Sequence, residues 1–411
     1  MSEKKVVITG IGIISPLGRG IADNLKALQE GRSGIVSKRP LWSDKKLRSQ
    51  IGGNVEAALY RCEFDRKQNR FLSDAALLAS VAMKDAILDS QISQNLVSHP
   101  DTGILMGTGS GSSILDAVKL DELLEKRGGS RVGAFHVPLI MGSSITANIG
   151  SIFGIQGHSY TVTSACATSA HAAMLGMDLI RSGRQKRVFV GGSDDINPLS
   201  ACAFDGMGAL SSAFNDQPQK ASRPLDRNRD GFVFSGGGGV LLLEELEVAK
   251  SRGAKIYGTL SGGAATCDGE DMVAPNGIGA IKAMERALLD AKLISEQIDY
   301  INLHGTSTPI GDMKELEALK SVFGKKIPHF SSTKSMTGHG LGAAGVMEAI
   351  FSLLMIQENF LAPNINLDEP EDFLKDLPIV QATTEFSVKR VLSNSFGFGG
   401  TNCSLIFSRF E

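Results

Sequence analysis

Cys166 lies in the run Thr161-Val-Thr-Ser-Ala-Cys166-Ala-Thr-Ser-Ala-His171. The approach is apolar and β-branched, through Tyr160 and Val162. The residues after it (Ala167, Ala170, Ala172, Ala173, Met174, Leu175 and Met177) favour helix. This pattern predicts a strand-to-helix turn with the cysteine near the helix N-terminus. Unpaired N–H groups and the helix dipole there favour a thiolate. A thiol pKa below the free value would make Cys166 a nucleophile. Ser164, Ala165, Ala167, Thr168 and Ser169 are small and leave room for a substrate carbonyl. The plainer alternative is a buried, inert cysteine beside a tight turn.

Two histidines stand in comparable places later in the chain. Tyr300-Ile-Asn-Leu-His304-Gly-Thr-Ser-Thr-Pro-Ile-Gly-Asp312 predicts a strand ending on His304 and then a loop. Lys314 and Glu315 open the following helix. Ser332-Thr-Lys334-Ser-Met-Thr-Gly-His339-Gly-Leu-Gly342 is a second glycine-rich loop, leading into an alanine-rich helix. Ligands and catalytic groups of α/β folds gather at such strand ends. No third ligand follows at helical or loop spacing, so no metal is expected.

The elements that must hold these residues alternate along the chain. Lys5–Thr9 predicts a buried strand. Gly10-Ile-Gly12-Ile-Ile-Ser15-Pro16 resembles half of a dinucleotide fingerprint, but Ser15 stands where a third glycine is wanted. Gly103–Ser112 is a strand running into a glycine-rich loop, and Arg187–Gly192 is a further strand. Gly236–Gly239 lacks the Lys-Ser/Thr of a phosphate loop. Near residue 255 the pattern restarts. Asn394-Ser-Phe-Gly-Phe-Gly-Gly-Thr-Asn402 then takes the place in the second half that the Cys166 turn takes in the first. Strands and helices alternating in two comparable halves predict a layered α/β duplication.

Composition narrows the function classes. The 411 residues are 42% hydrophobic with a net charge of -2, which points to neither nucleic acid nor membrane as a partner. Five scattered cysteines suggest neither a disulfide framework nor zinc, and fit a reducing cytosol. No signal-peptide pattern and no apolar run long enough to span a bilayer is read.

Together SACATSAH, HGTSTPIGD, KSMTGHGLGAAG and NSFGFGGTN resemble the β-ketoacyl-[acyl-carrier-protein] synthases of types I and II, type I most closely. The resemblance runs the whole chain in order. It implies the thiolase fold: α/β, five layers α-β-α-β-α from two duplicated halves. Residues 1–253 would carry Cys166, and residues 254–411 would carry His304 and His339. It also implies a cytoplasmic homodimer that needs no cofactor and elongates acyl chains from malonyl-carrier protein.

The site residues follow from the same resemblance. Cys166 would carry the acyl group, and neutral His304 and His339 would stabilise the enolate oxygen. Lys334 and Glu315 would orient and tune them. The N–H groups of Cys166 and Phe398 would form the oxyanion hole. Thr306 and Thr308 would contact the pantetheine arm, Phe396 and Phe398 would gate the two pockets, and Ser110 would line the acyl pocket. Arg66, Lys67, Arg70, Lys126, Arg127 and Arg131 would dock the acidic acyl carrier protein. Cys403, inside an apolar strand, does not supply the second cysteine of a thiolase. His339 stands where a type III synthase would carry Asn. A specialised ketosynthase of a polyketide or polyene pathway is the second reading.

Overall fold

The computed structural model describes residues 4–111 and 113–411, so Ser112 at the end of the glycine-rich loop lies outside it. Eleven strands form one continuous ladder. The short Gly18–Arg19 pairs off the first strand, and the rest divide into two sets of five. The first set is β1 (Val6–Ser15), β2 (Thr102–Gly107), β3 (Ser159–Thr161), β4 (Arg187–Asp194) and β5 (Gly237–Glu245). The second is β6 (Gly258–Cys267), β7 (Tyr300–Asn302), β8 (His329–Ser331), β9 (Arg390–Gly397) and β10 (Thr401–Ser408).

The first set is ordered β3-β2-β4-β5-β1 and the second β8-β7-β9-β10-β6. In each, the last strand lies antiparallel between the first and fourth strands. The remaining pairings are parallel in both sets. The sets meet where β1 pairs antiparallel with β6, Val7 opposite Thr259. This repeat corrects one expectation. By strand order, the turn after β3 that carries Cys166 corresponds to the turn after β8 that carries Lys334 and His339. The Asn394–Asn402 segment corresponds instead to the end of β4. Its wealth of glycine, rather than its place in the order, suggested the other match.

Helices pack in three layers around the two sheets. α1 (Asp74–Ser90), whose first turn is capped by the Ser73 hydroxyl, covers the outer face of the first sheet. α2 (Thr168–Arg181) and α5 (Ala344–Glu358) fill the space between the sheets. α3 (Ile278–Asp290) and α4 (Pro309–Phe323) cover the outer face of the second. The result is the five-layered arrangement α-β-α-β-α.

The glycines of β1 serve this packing. A Cβ on Gly12 would come 1.8 Å from the carbonyl oxygen of Ala82 on α1, and one on Gly10 would come 2.6 Å from the Ser90 Cβ. The partial fingerprint Gly10-Ile-Gly12 thus lets a helix lie directly on a strand.

The expectation of no apolar run long enough to span a bilayer needs correction. Leu341–Glu358 reaches that length and hydropathy, yet 89% of it is buried. A helix clamped between two sheets is apolar all round for that reason.

Candidate active site

The turn before α2 is strained. Ala165 has φ +49, in the left-handed region that costs a side-chain-bearing residue energy. Thr168 clamps this turn: its hydroxyl donates to the Ala165 carbonyl at 2.7 Å and accepts from the Ser164 amide at 2.9 Å. His171, one turn along α2, lies 2.7 Å from the Ser164 hydroxyl and 3.3 Å from the Asn402 carbonyl oxygen. The turn that presents Cys166 is therefore tied to the start of β10.

Three loops converge on the sulfur. His339 Nε2 lies 3.0 Å from Cys166 Sγ, and the rings of His304 and His339 meet edge-to-face at 5.3 Å. The His339 amide donates to the Val233 carbonyl at 2.8 Å, which fixes its loop. Among the described residues its Nδ1 has no partner. Lys334 Nζ lies 3.5 Å from His304 Nδ1 and also pairs with Glu348. An ammonium only donates, so His304 Nδ1 accepts and its hydrogen sits on Nε2. Burial, then the charge of Lys334, hold both histidines well below the ordinary imidazole range. They are neutral at physiological pH.

Glu315 acts on the main chain. Its two oxygens accept from the amides of His304 and Gly305, each at 2.8 Å, and Asn394 Nδ2 donates to it at 3.1 Å. Burial pushes its carboxyl up to about 7.

The thiol differs from expectation. Burial pushes Cys166 up to about 12. Lys334 and the amides of Phe398 and Cys166 itself pull the other way and lose. Desolvation of a thiolate outweighs a dipole and a few N–H groups. The resting sulfur is a thiol beside an imidazole. Both amides act on it, so they converge on one point. Gly397 permits this approach, since a Cβ there would sit 3.2 Å from the Cys166 nitrogen. Gly399 and Gly400, at φ +79 and +70, carry the turn away.

The convergence opens into a cleft of about 520 Å3, lined by Cys166, His304 and His339 together with Thr306, Thr308, Phe396 and Phe398. The Thr306 and Thr308 hydroxyls are 3.0 Å apart. Phe396 packs on the His304 ring, and Phe398 is 37% exposed at the mouth. Ser110 is not among the lining residues. It is exposed, 3.5 Å from Asp194 Oδ1 and from the Thr108 hydroxyl. The six basic residues are also exposed and away from the cleft. Arg66 and Lys67 sit on the short helix Arg66–Asn69. Arg70 stacks on Phe135, beyond Arg131. Lys126 and Arg127 end the helix Ile114–Arg127.

Sequence reasoning missed two buried carboxylates. Glu348 on α5 balances Lys334, and burial pushes it up to about 7. Asp194 accepts from the amides of Gly109 and Gly342, at 2.8 and 2.7 Å, joining the glycine-rich loop to the turn after His339. A lone acid inside the apolar run Val346–Ile356 was the available signal for Glu348. Nor did spacing find a third ligand beside the histidines. The fold supplies one in Cys166, whose sulfur and the two imidazoles offer ligand atoms within 4.8 Å of one another.

The N-terminal domain of the β-ketoacyl synthase family matches residues 3–249, and its C-terminal domain matches residues 257–368. The chain belongs to the β-ketoacyl synthase family. It is 46% identical to 3-oxoacyl-[acyl-carrier-protein] synthase 1 of Escherichia coli K12, over 99% of this chain and 100% of that one. A β-ketoacyl synthase crystal structure from Burkholderia phymatum superposes with a TM-score of 0.92 at 30% identity, covering 99% of this chain and 100% of that one. A type II polyketide ketosynthase, solved with its acyl-carrier protein and bound to the hexaketide, superposes at 0.85 with 28% identity, covering both chains fully. The five layers are accordingly those of the thiolase fold.

Proposed function

We propose that this β-ketoacyl synthase condenses malonyl-carrier protein with an acyl group held on Cys166, giving 3-oxoacyl-carrier protein in fatty-acid synthesis. The observation that carries this is a thiol and two neutral imidazoles meeting at the floor of one cleft. In the first step the sulfur attacks the acyl thioester. Its proton passes to His339 Nε2 and then to the departing carrier thiol. The carbonyl oxygen takes its charge against the amides of Cys166 and Phe398.

Malonyl-carrier protein then enters, its arm along Thr306 and Thr308. The bond to its carboxylate breaks, carbon dioxide leaves, and the electron pair forms a thioester enolate. The Nε2–H groups of His304 and His339 stabilise that oxygen. His304 already holds the required tautomer through Lys334. The unpartnered Nδ1 of His339 leaves that ring free to accept in the first step and donate in the second. The enolate carbon attacks the Cys166 thioester, the sulfur departs as a thiolate, and it takes up a proton from solvent, since its own left with the first carrier thiol. Glu315 is a positioning residue, acting through the His304 backbone.

The acidic carrier docks on Arg66, Lys67, Arg70, Lys126, Arg127 and Arg131. Identity to a synthase 1 at full length favours fatty-acid elongation over a polyketide pathway. We also read the protein as a cytoplasmic homodimer divided into halves at residues 253 and 254. Two features support the dimer. Edge strand β3 has no pairing on its outer side among the described residues, and its Tyr160 is 54% exposed. Incubation with acyl- and malonyl-carrier proteins, followed by mass spectrometry, tests the reaction. The expected result is an acyl adduct on Cys166 and a 3-oxoacyl product. An adduct on another residue, or none, overturns it.

A further inference from the structure

We propose that Cys166, His304 and His339 form a latent site for a thiophilic divalent cation such as Zn2+, and that Lys334 keeps it closed. The inference rests on atom positions and assumes no substrate.

The three ligand atoms lie within 4.8 Å of one another, with Sγ and His339 Nε2 at 3.0 Å. A tetrahedral zinc bound by one sulfur and two imidazoles separates such atoms by about 3.3–3.6 Å. Reaching that arrangement takes a closure of up to about 1.2–1.5 Å in the widest separation, shared between two side chains. The ligands are of the kind zinc favours, both rings are neutral, and the cleft leaves a fourth position open to water. They come from three loops far apart in the chain, so no sequence spacing betrays the site.

Capture requires Cys166 to release its proton to solvent, which burial resists, but the specific block is Lys334. Its ammonium donates toward His304 Nδ1, so the hydrogen of that ring lies on Nε2, where a metal would bind. Ligation would move the hydrogen to Nδ1 and aim it at another donor. The ammonium would also repel the dication. Lys334 has nowhere to retreat: it is 1% exposed and paired to Glu348. His339 carries no such lock, since its Nδ1 is unpartnered among the described residues. One lysine thus holds a ring in the tautomer that an enolate needs and a metal cannot use. A polar partner behind a ligating histidine commonly changes metal affinity by about 10–100-fold. Here the partner acts against the metal.

The test uses the full-length protein and Co2+ as the probe. Cobalt in a tetrahedral thiolate site gives a sulfur-to-metal band in the near ultraviolet and intense visible d–d bands. Lys334→Met should bind one equivalent with these bands, at least ~10-fold more tightly than the unaltered protein. Lys334→Met/Glu348→Gln removes both members of the ion pair, so Glu348 is not left buried without its cation, and should behave alike. Adding Cys166→Ala to either should abolish the thiolate band, which separates this site from exposed Cys62, Cys202 and Cys267. Equal cobalt affinity in all lysine forms, or a thiolate band that survives Cys166→Ala, overturns the proposal. Failure of the condensation reaction would leave these spectra unchanged, so the two readings fall separately.

Discussion

His339 Nε2 stands 3.0 Å from Cys166 Sγ while its other nitrogen has no partner among the described residues. His304, by contrast, is held in one tautomer by Lys334. The two histidines of the site are therefore unequal, and their variants should differ.

Cys166→Ala should abolish condensation, because the enolate then has no acyl thioester to attack. The histidines and the amide of Phe398 remain, so slow decarboxylation of malonyl-carrier protein should persist. Product analysis by mass spectrometry checks both, and any 3-oxoacyl product from this variant removes Cys166 from its role.

His304→Ala and His339→Ala should each lower decarboxylation by about 100-fold or more, the usual cost of one oxyanion donor. Acylation of Cys166 should suffer less, and should fall further in His339→Ala, which removes the group beside the thiol. Rapid-quench rates for the two half-reactions measure the split. Equal acylation in both variants would contradict the proton path through His339.

The pH dependence follows from burial. Both imidazoles sit well below the ordinary value near 6.5, so their own protonation should slow decarboxylation only well into acid, while Glu315 and Glu348, raised to about 7, titrate between about pH 6 and 8. Between the folded and unfolded histidine values the unfolded chain binds more protons, so these two groups lose stability as pH falls below about 6.5. Glu315, raised to about 7, acts with the opposite sign and loses stability as pH rises from its ordinary value of 4.5 toward 7. The rate profile on malonyl-carrier protein is thus the cleaner readout. A decarboxylation limb centred near 6.5 that persists in Glu315→Gln and in Glu348→Gln would mean that a histidine is solvated.

Reversing charge in Arg66→Glu/Lys67→Glu should raise KM for carrier-bound substrates and flatten its dependence on salt. Both residues are exposed and away from the cleft, so small pantetheine thioesters should react almost as before. Paired kinetics on the two substrate types decide it. An equal loss on both would show that the change reaches the cleft rather than a docking surface.

Cys166 was legible because it stands in a turn of small residues between a strand and a helix, His304 and His339 because each stands in a glycine-flanked loop after a strand, and the duplication because the alternation restarts. Glu348 was not, since its partner Lys334 arrives from a different loop. The thiol value was misjudged because a helix N-terminus is visible in a sequence and the depth at which it is buried is not. The match of Asn394–Asn402 to the Cys166 turn failed because strand order is set by crossovers, which local composition does not record. Ser110 was assigned to the acyl pocket from the resemblance alone; in the single chain it is exposed and does not line the Cys166 cleft.

The helix between the two sheets has a consequence during synthesis. When the ribosome has completed β5, α2 already presents an apolar face, yet the residues of α5 that cover it are about a hundred positions away. Until they emerge, the nascent first half carries an uncovered greasy stripe and cannot reach its final state. Such a chain is a natural client for chaperones, and ribosome-stalled fragments ending before Ala344 should aggregate where the finished polypeptide does not.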